Sequence, residues 1–148
     1  MQKLLTRILP AAAVIALVSC QGGNTGTNTA ALADSLAIDS LSTVVMTIHN
    51  EGMEKMMTIR RLKERVVAVK DSLATKKGDT TAYFVTANLL DSATNAMNSW
   101  MTGYDMELKD KTTPEKKAYL EAEKKKIADV QDLMSSSIKG AKTLLKEE

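Results

Sequence analysis

Between residues 38 and 73, alternating steps of three and four land on Ile38, Leu41, Val45, Ile48, Gly52, Lys55, Ile59, Leu62, Val66, Val69 and Leu73. Nine of these eleven positions are apolar, and the only breaks are Gly52 and Lys55. A repeat near 3.5 residues keeps one stripe of a helix facing one side, so this is a coiled-coil-like seam. A seam of that length is stable only when another element covers it. Asp39 supplies a cap at its start. Lys76-Lys77-Gly78-Asp79 ends it, with lysines at the negative end of the helix dipole and a glycine suited to a left-handed exit.

Two further helical stretches supply the cover. From Thr80 to Tyr104, one stripe carries Ala82, Val85, Leu89, Ala93, Ala96, Trp100 and Tyr104, with Leu90, Met97 and Met101 beside it. A polar connector runs from Asp105 to Thr112. Thr113-Pro114 then reads as a cap and first helical position. Leu120, Ile127, Val130, Met134, Ile138, Ala141 and Leu145 follow at helical spacing toward the C-terminus. No stretch has the strict alternation of a strand flanked by turns. Three helices with short connectors pack antiparallel to their sequence neighbours, so the expected fold is all-α, an up-down-up three-helix bundle.

Upstream of the bundle the composition changes. Lys3 and Arg7 precede an apolar run from Ile8 to Val18, which ends at the small residue Ser19, the build of a secretory signal. That run is well short of the roughly 18 apolar residues a permanent bilayer helix needs. Leu17-Val18-Ser19-Cys20 resembles the lipobox of bacterial lipoprotein precursors. The resemblance implies that Cys20, the only cysteine in the chain, is acylated and becomes the first mature residue. Two or three acyl chains give stable attachment where one gives only a weak one. Gln21 stands where an aspartate holds some lipoproteins at the inner membrane, so the expected location is the outer membrane, facing the periplasm. The chain thus divides into a signal peptide over 1–19, Cys20 with a flexible tether over 20–38, and a bundle domain over 39–148.

Charge and residue inventory narrow the function classes. The formal net charge is +2, and Lys3 and Arg7 account for both charges. The remainder is electrically balanced and holds only five aromatic residues, so it has no electrostatic footprint for nucleic acid. One histidine and no thiol besides Cys20 provide no nucleophile and base pair, which argues against an enzyme. The expected role is a structural or partner-binding module, tied to the membrane by its lipid and able to engage an envelope protein. Self-association is left open by the long heptad helices.

Methionine is distributed unevenly. Met46, Met53, Met56 and Met57 form one group and Met97, Met101 and Met106 another, and the single histidine, His49, and single tryptophan, Trp100, fall among them. If the turn is centred between Lys77 and Gly78, level residues have numbers summing to about 155, so Lys55 lies opposite Trp100 and His49 near Met106. The runs His49-Asn50-Glu51-Gly52-Met53-Glu54-Lys55-Met56 and Ala96-Met97-Asn98-Ser99-Trp100-Met101-Thr102-Gly103-Tyr104 resemble paired motifs in small, uncharacterised bacterial lipoproteins, some labelled "viral A-type inclusion protein". That resemblance implies a helical lipoprotein domain and carries no activity with it. The methionines fit two uses. They can fill an irregular core, with Gly52 leaving room for the Trp100 ring. Alternatively, His49, Met53, Met56, Met97 and Met101, capped by Trp100, can hold copper as Cu(I), or Ag(I), through soft thioether and imidazole ligands.

Overall fold

A computed structural model describes the backbone of residues 25–147 and the side chains of residues 29–147. The expected signal peptide and Cys20 lie outside the described residues. Three helices make up the fold: α1 (Thr25–Thr75), α2 (Thr81–Gly103) and α3 (Thr113–Leu145). Each packs against both others. At 51 residues α1 is about 76 Å long, and it is the spine to which the shorter helices are fixed.

Side-chain pairs give the directions. Asp34 meets Lys117, Lys55 meets Gln131, and Arg61 meets Glu147 at 3.1 Å, so α1 and α3 run parallel. His49 meets Trp100 and Lys63 meets Asp91, so α2 runs against α1. The bundle is up-down-up, as the connector lengths predict.

The α1 seam holds its phase. Val45, Gly52, Ile59, Leu62 and Val66 are buried, and they meet Ala87, Leu90, Ala93 and Met97 of α2 and Ile127, Met134 and Ala141 of α3 in one core. Lys55 is accommodated on the seam because α3 places polar partners there. Its ammonium donates to Gln131 and, at 3.0 Å, to Ser135, while Gln131 Nε2 donates to the Ile48 carbonyl at 3.3 Å and to Glu51 at 2.8 Å.

Four local expectations are corrected. The stretch over 25–29, expected as linker, belongs to α1, which continues through the Ala- and Leu-rich residues 30–37, whose composition favours helix, and the Asp34–Lys117 pair holds this part to the start of α3. On α2 the buried face is Ala87, Leu90, Ala93, Met97 and Trp100, whereas Val85 and Leu89 are exposed. With α1 on one side and α3 on the other, the covered sector centres on Leu90 and Met97. Lys77, not Gly78, takes the left-handed conformation at the end of α1, with φ 55°; Gly78 instead sits close to Leu73, whose Cδ2 lies 3.3 Å from where a Cβ would be. Thr112, one residue before the expected cap, begins α3 in a capping box with Glu115.

Near its N-terminus α1 includes a stretch long and apolar enough to cross a membrane by length and composition alone. Leu32 and Leu36, one turn apart in that stretch, are each 60% exposed.

Candidate functional site

Gly52 opens a notch on α1 that faces Met97 of α2. An added Cβ on Gly52 would lie 2.3 Å from Met97 Cε and 3.7 Å from Met134 Sδ, so the missing side chain at 52 is the space that Met97 occupies. Pairing 52 with 97 sets the level of the two helices at a residue sum of 149, and the same sum places His49 beside Trp100. The expected sum of about 155 put Trp100 nearly two turns away, opposite Lys55. Gly52 thus makes room for Met97 and not for the indole.

From that level upward the structure builds a row of rings. The His49 ring centroid lies 5.5 Å from that of Trp100 at an interplanar angle of 31°. Trp100 stacks on Tyr104 at 4.8 Å and 23°, and Tyr104 on Tyr119 at 6.1 Å and 25°. Lys111 Nζ ends the row, 5.1 Å from the Tyr119 centroid, in cation–π contact. The row therefore runs from α1 across α2 to α3. Trp100 is 8% exposed, and its buried Nε1 has no hydrogen-bond partner among the described residues. Burial pushes the Tyr104 phenol above its ordinary value, partly offset by a hydrogen bond with Ser42.

A cleft of about 220 Å³ opens beside these rings, lined by Met46, His49, Trp100, Met101, Tyr104 and Met106. No charged side chain lines it among the described residues. Of the six residues expected to form a metal site, His49, Met101 and Trp100 meet here, while Met53, Met56 and Met97 do not line the cleft. Met97 is fully buried in the three-helix core, Met56 packs partly buried against that core, and Met53 faces solvent. Met46 and Met106 take their places. Met57 is 69% exposed and Met106 74% exposed, so the methionines divide into core filler, cleft wall and open surface.

Two polar devices hold the cleft walls. His49 Nδ1 lies 3.1 Å from Asn50 Oδ1. A carbonyl oxygen only accepts, so Nδ1–H donates, and in the neutral ring Nε2 keeps its lone pair. The second device is Asp105, which fixes the segment carrying Met106. Its carboxylate accepts from the backbone N–H groups of Glu107 and Leu108, both at 3.1 Å, and from Lys111 Nζ at 2.7 Å, while its own N–H donates to Tyr119 Oη at 2.7 Å. The Lys111 hydrogen bond, followed by the backbone donors, pulls the Asp105 carboxyl down to about 2. The same bond raises the Lys111 ammonium. Leu108, at φ 50°, then turns into the protein and is buried.

Sequence reasoning placed Met46 and Met106 in the right groups but left them out of the site, and it missed Asn50, Asp105 and Tyr119. An aspartate ahead of two free backbone donors is an Asx-turn signal, so Asp105 was open to detection. Glu123, also missed, is buried on α3 between Leu120 and Ile127 and bonds Lys126 at 2.7 Å.

Chemically, the cleft offers thioether sulfurs, one imidazole nitrogen and aromatic faces. Among the described residues, no group of three or more histidine, cysteine, aspartate or glutamate side chains is placed to hold a metal ion. Comparison with protein-family models, curated proteins and solved structures finds no match to this chain.

Proposed function

We propose that the protein is a lipid-anchored, non-enzymatic component of the cell envelope, whose three-helix bundle works as a structural or partner-binding module. Acyl chains on Cys20 attach it to the membrane, and the outer membrane facing the periplasm is the proposed location. The observation that carries the reading is Leu17-Val18-Ser19-Cys20 placed directly ahead of a helical rod. The apolar first part of α1, with Leu32 and Leu36 uncovered, is compatible with association with the envelope. Partner binding is supported by Met53 and Met57, exposed one turn apart on α1. Thioether side chains are flexible and polarizable, and they adapt to varied partner surfaces.

The test combines fractionation with crosslinking. The native chain should sediment with membranes, and Cys20→Ser should release it or leave it unprocessed. A photocrosslinking residue in place of Met57 should capture the same envelope protein repeatedly, whereas one at the solvent-facing Asn88 should not. A Cys20→Ser chain that is processed and membrane-bound like the native one would overturn the anchor, and crosslinks indistinguishable between the two positions would overturn the partner surface.

A further inference from the structure

We propose that Met46, His49, Met101 and Met106 form a binding site for a soft monovalent cation, Cu(I) or Ag(I), held against the ring of Trp100. This does not depend on the lipid anchor. Three observations carry it: the four side chains line one cleft with Trp100 and Tyr104, the His49 ring sits over Trp100 at 5.5 Å, and Asn50 engages Nδ1 of that ring.

The donor set selects the ion. Thioethers and imidazole are soft or borderline ligands that favour Cu(I), whereas Ca²⁺ and Mg²⁺ require oxygen donors. No carboxylate lines the cleft among the described residues, so hard cations find no anchor there. A monovalent ion is also the least costly to bring into a wall of sulfur and rings, because the ligands are neutral and the buried charge is the smallest.

The geometry also prepares the ligands. With Nδ1–H donating to Asn50 Oδ1 at 3.1 Å, the lone pair is on Nε2, the arrangement that outer-shell acceptors give to metal-bound histidines. Met46 comes from α1, Met101 from α2 and Met106 from the connector that Asp105 braces, so an ion held by all three would tie three segments together. Met106, 74% exposed, has the freedom to close over the ion, since an unbranched thioether moves at little cost. Met97 and Met134 take no part, because they are fully buried in the core.

The experiment uses the detergent-solubilised full chain carrying Cys20→Ser, so that no thiol competes, with Ag(I) in chloride-free buffer. Trp100 is the only tryptophan, so its emission reports on the site. The proposal expects saturable quenching at one equivalent, with a micromolar or tighter dissociation constant, and matching Cu(I) transfer from a chromophoric chelator. Met46→Leu with Met106→Leu keeps volume but removes sulfur. That pair should weaken binding about a hundredfold, and Asn50→Leu about tenfold, as loss of outer-shell partners does. His49→Phe keeps a ring on Trp100 and should weaken binding as strongly as the methionine pair. Met53→Leu with Met57→Leu should change nothing. Unsaturable or absent quenching overturns the site, and so does binding that survives the Met46 and Met106 replacements, which would place the ion elsewhere on the chain.

Discussion

Gly52 and Met97 show how one missing side chain sets the relation of two helices. In an exposed helix interior, Gly→Ala stabilises by about 1 kcal/mol. Gly140 is such a position, with nothing within 4 Å of an added Cβ, so Gly140→Ala should raise stability in urea unfolding by about that amount. At Gly52 the same change forces Met97 Cε out of the place it holds 2.3 Å away, and overpacking a filled core costs about 1–3 kcal/mol. Gly52→Ala should therefore fail to stabilise. In a Met97→Ala background the clash is gone, and Gly52→Ala should recover the gain of about 1 kcal/mol. Failure of that recovery would mean that Gly52 serves something other than the methionine. The sequence announced a gap on the seam, because a glycine interrupts an otherwise apolar repeat. It could not name the occupant, since that depends on how far α2 slides along α1, and this sliding is set by the very contact in question.

Carboxylates brace the starts of α2 and α3 and the connector between them. Asp79 Oδ1 accepts the Thr81 backbone N–H at 2.8 Å at the start of α2. Glu115 accepts from both the backbone N–H and the hydroxyl of Thr112, at 2.7 and 2.6 Å. Asp105 ties the connector between them. These hydrogen bonds hold all three carboxyls below their ordinary values, led by Thr81 for Asp79, Lys111 for Asp105 and Thr112 for Glu115. A carboxyl depressed on folding contributes stability that is fully present above its unfolded value and is lost as pH falls through its folded one. Acid unfolding should therefore be steepest below the ordinary carboxylate range, with the Asp105 share disappearing last, toward its value of about 2. Asp105→Asn should flatten the low-pH end of a stability profile and leave the neutral region with the same slope. Removing the cap by Thr112→Ala should cost about 1 kcal/mol in thermal unfolding. Element existence was legible because period, cap residues and Pro114 agreed over long spans. The α1 start was not, since Thr-Gly-Thr-Asn reads locally as loop, and the α2 stripe was phased on Val85 and Leu89 because hydrophobicity alone does not say which of two partners covers which side.

At the scale of the whole molecule, stability belongs to the core and not to the many ion pairs. The pairs Arg60–Glu64, Lys63–Asp91 and Lys109–Glu107 are solvent-exposed, and such pairs contribute about 0–1 kcal/mol each. Leu62 and Ile59 are essentially fully buried. Leu62→Ala should cost roughly 2–5 kcal/mol, against no more than about 1 for Arg60→Ala, and equal losses would contradict the packing described. The bundle architecture could be read from one sequence because three amphipathic stretches and two short connectors admit few arrangements. The cleft could be read only in part. Residue types pointed to His49, Trp100 and the methionines, but which methionines share a wall with His49 follows from register, and register is a property of the assembled bundle. The larger claim is that this rod is held at the envelope by lipid on one sulfur. Intact-mass spectrometry of the protein isolated from its native membranes tests that directly: the account predicts a polypeptide beginning at Cys20 with acyl mass added there, and retained Met1 or an unmodified Cys20 thiol would contradict it.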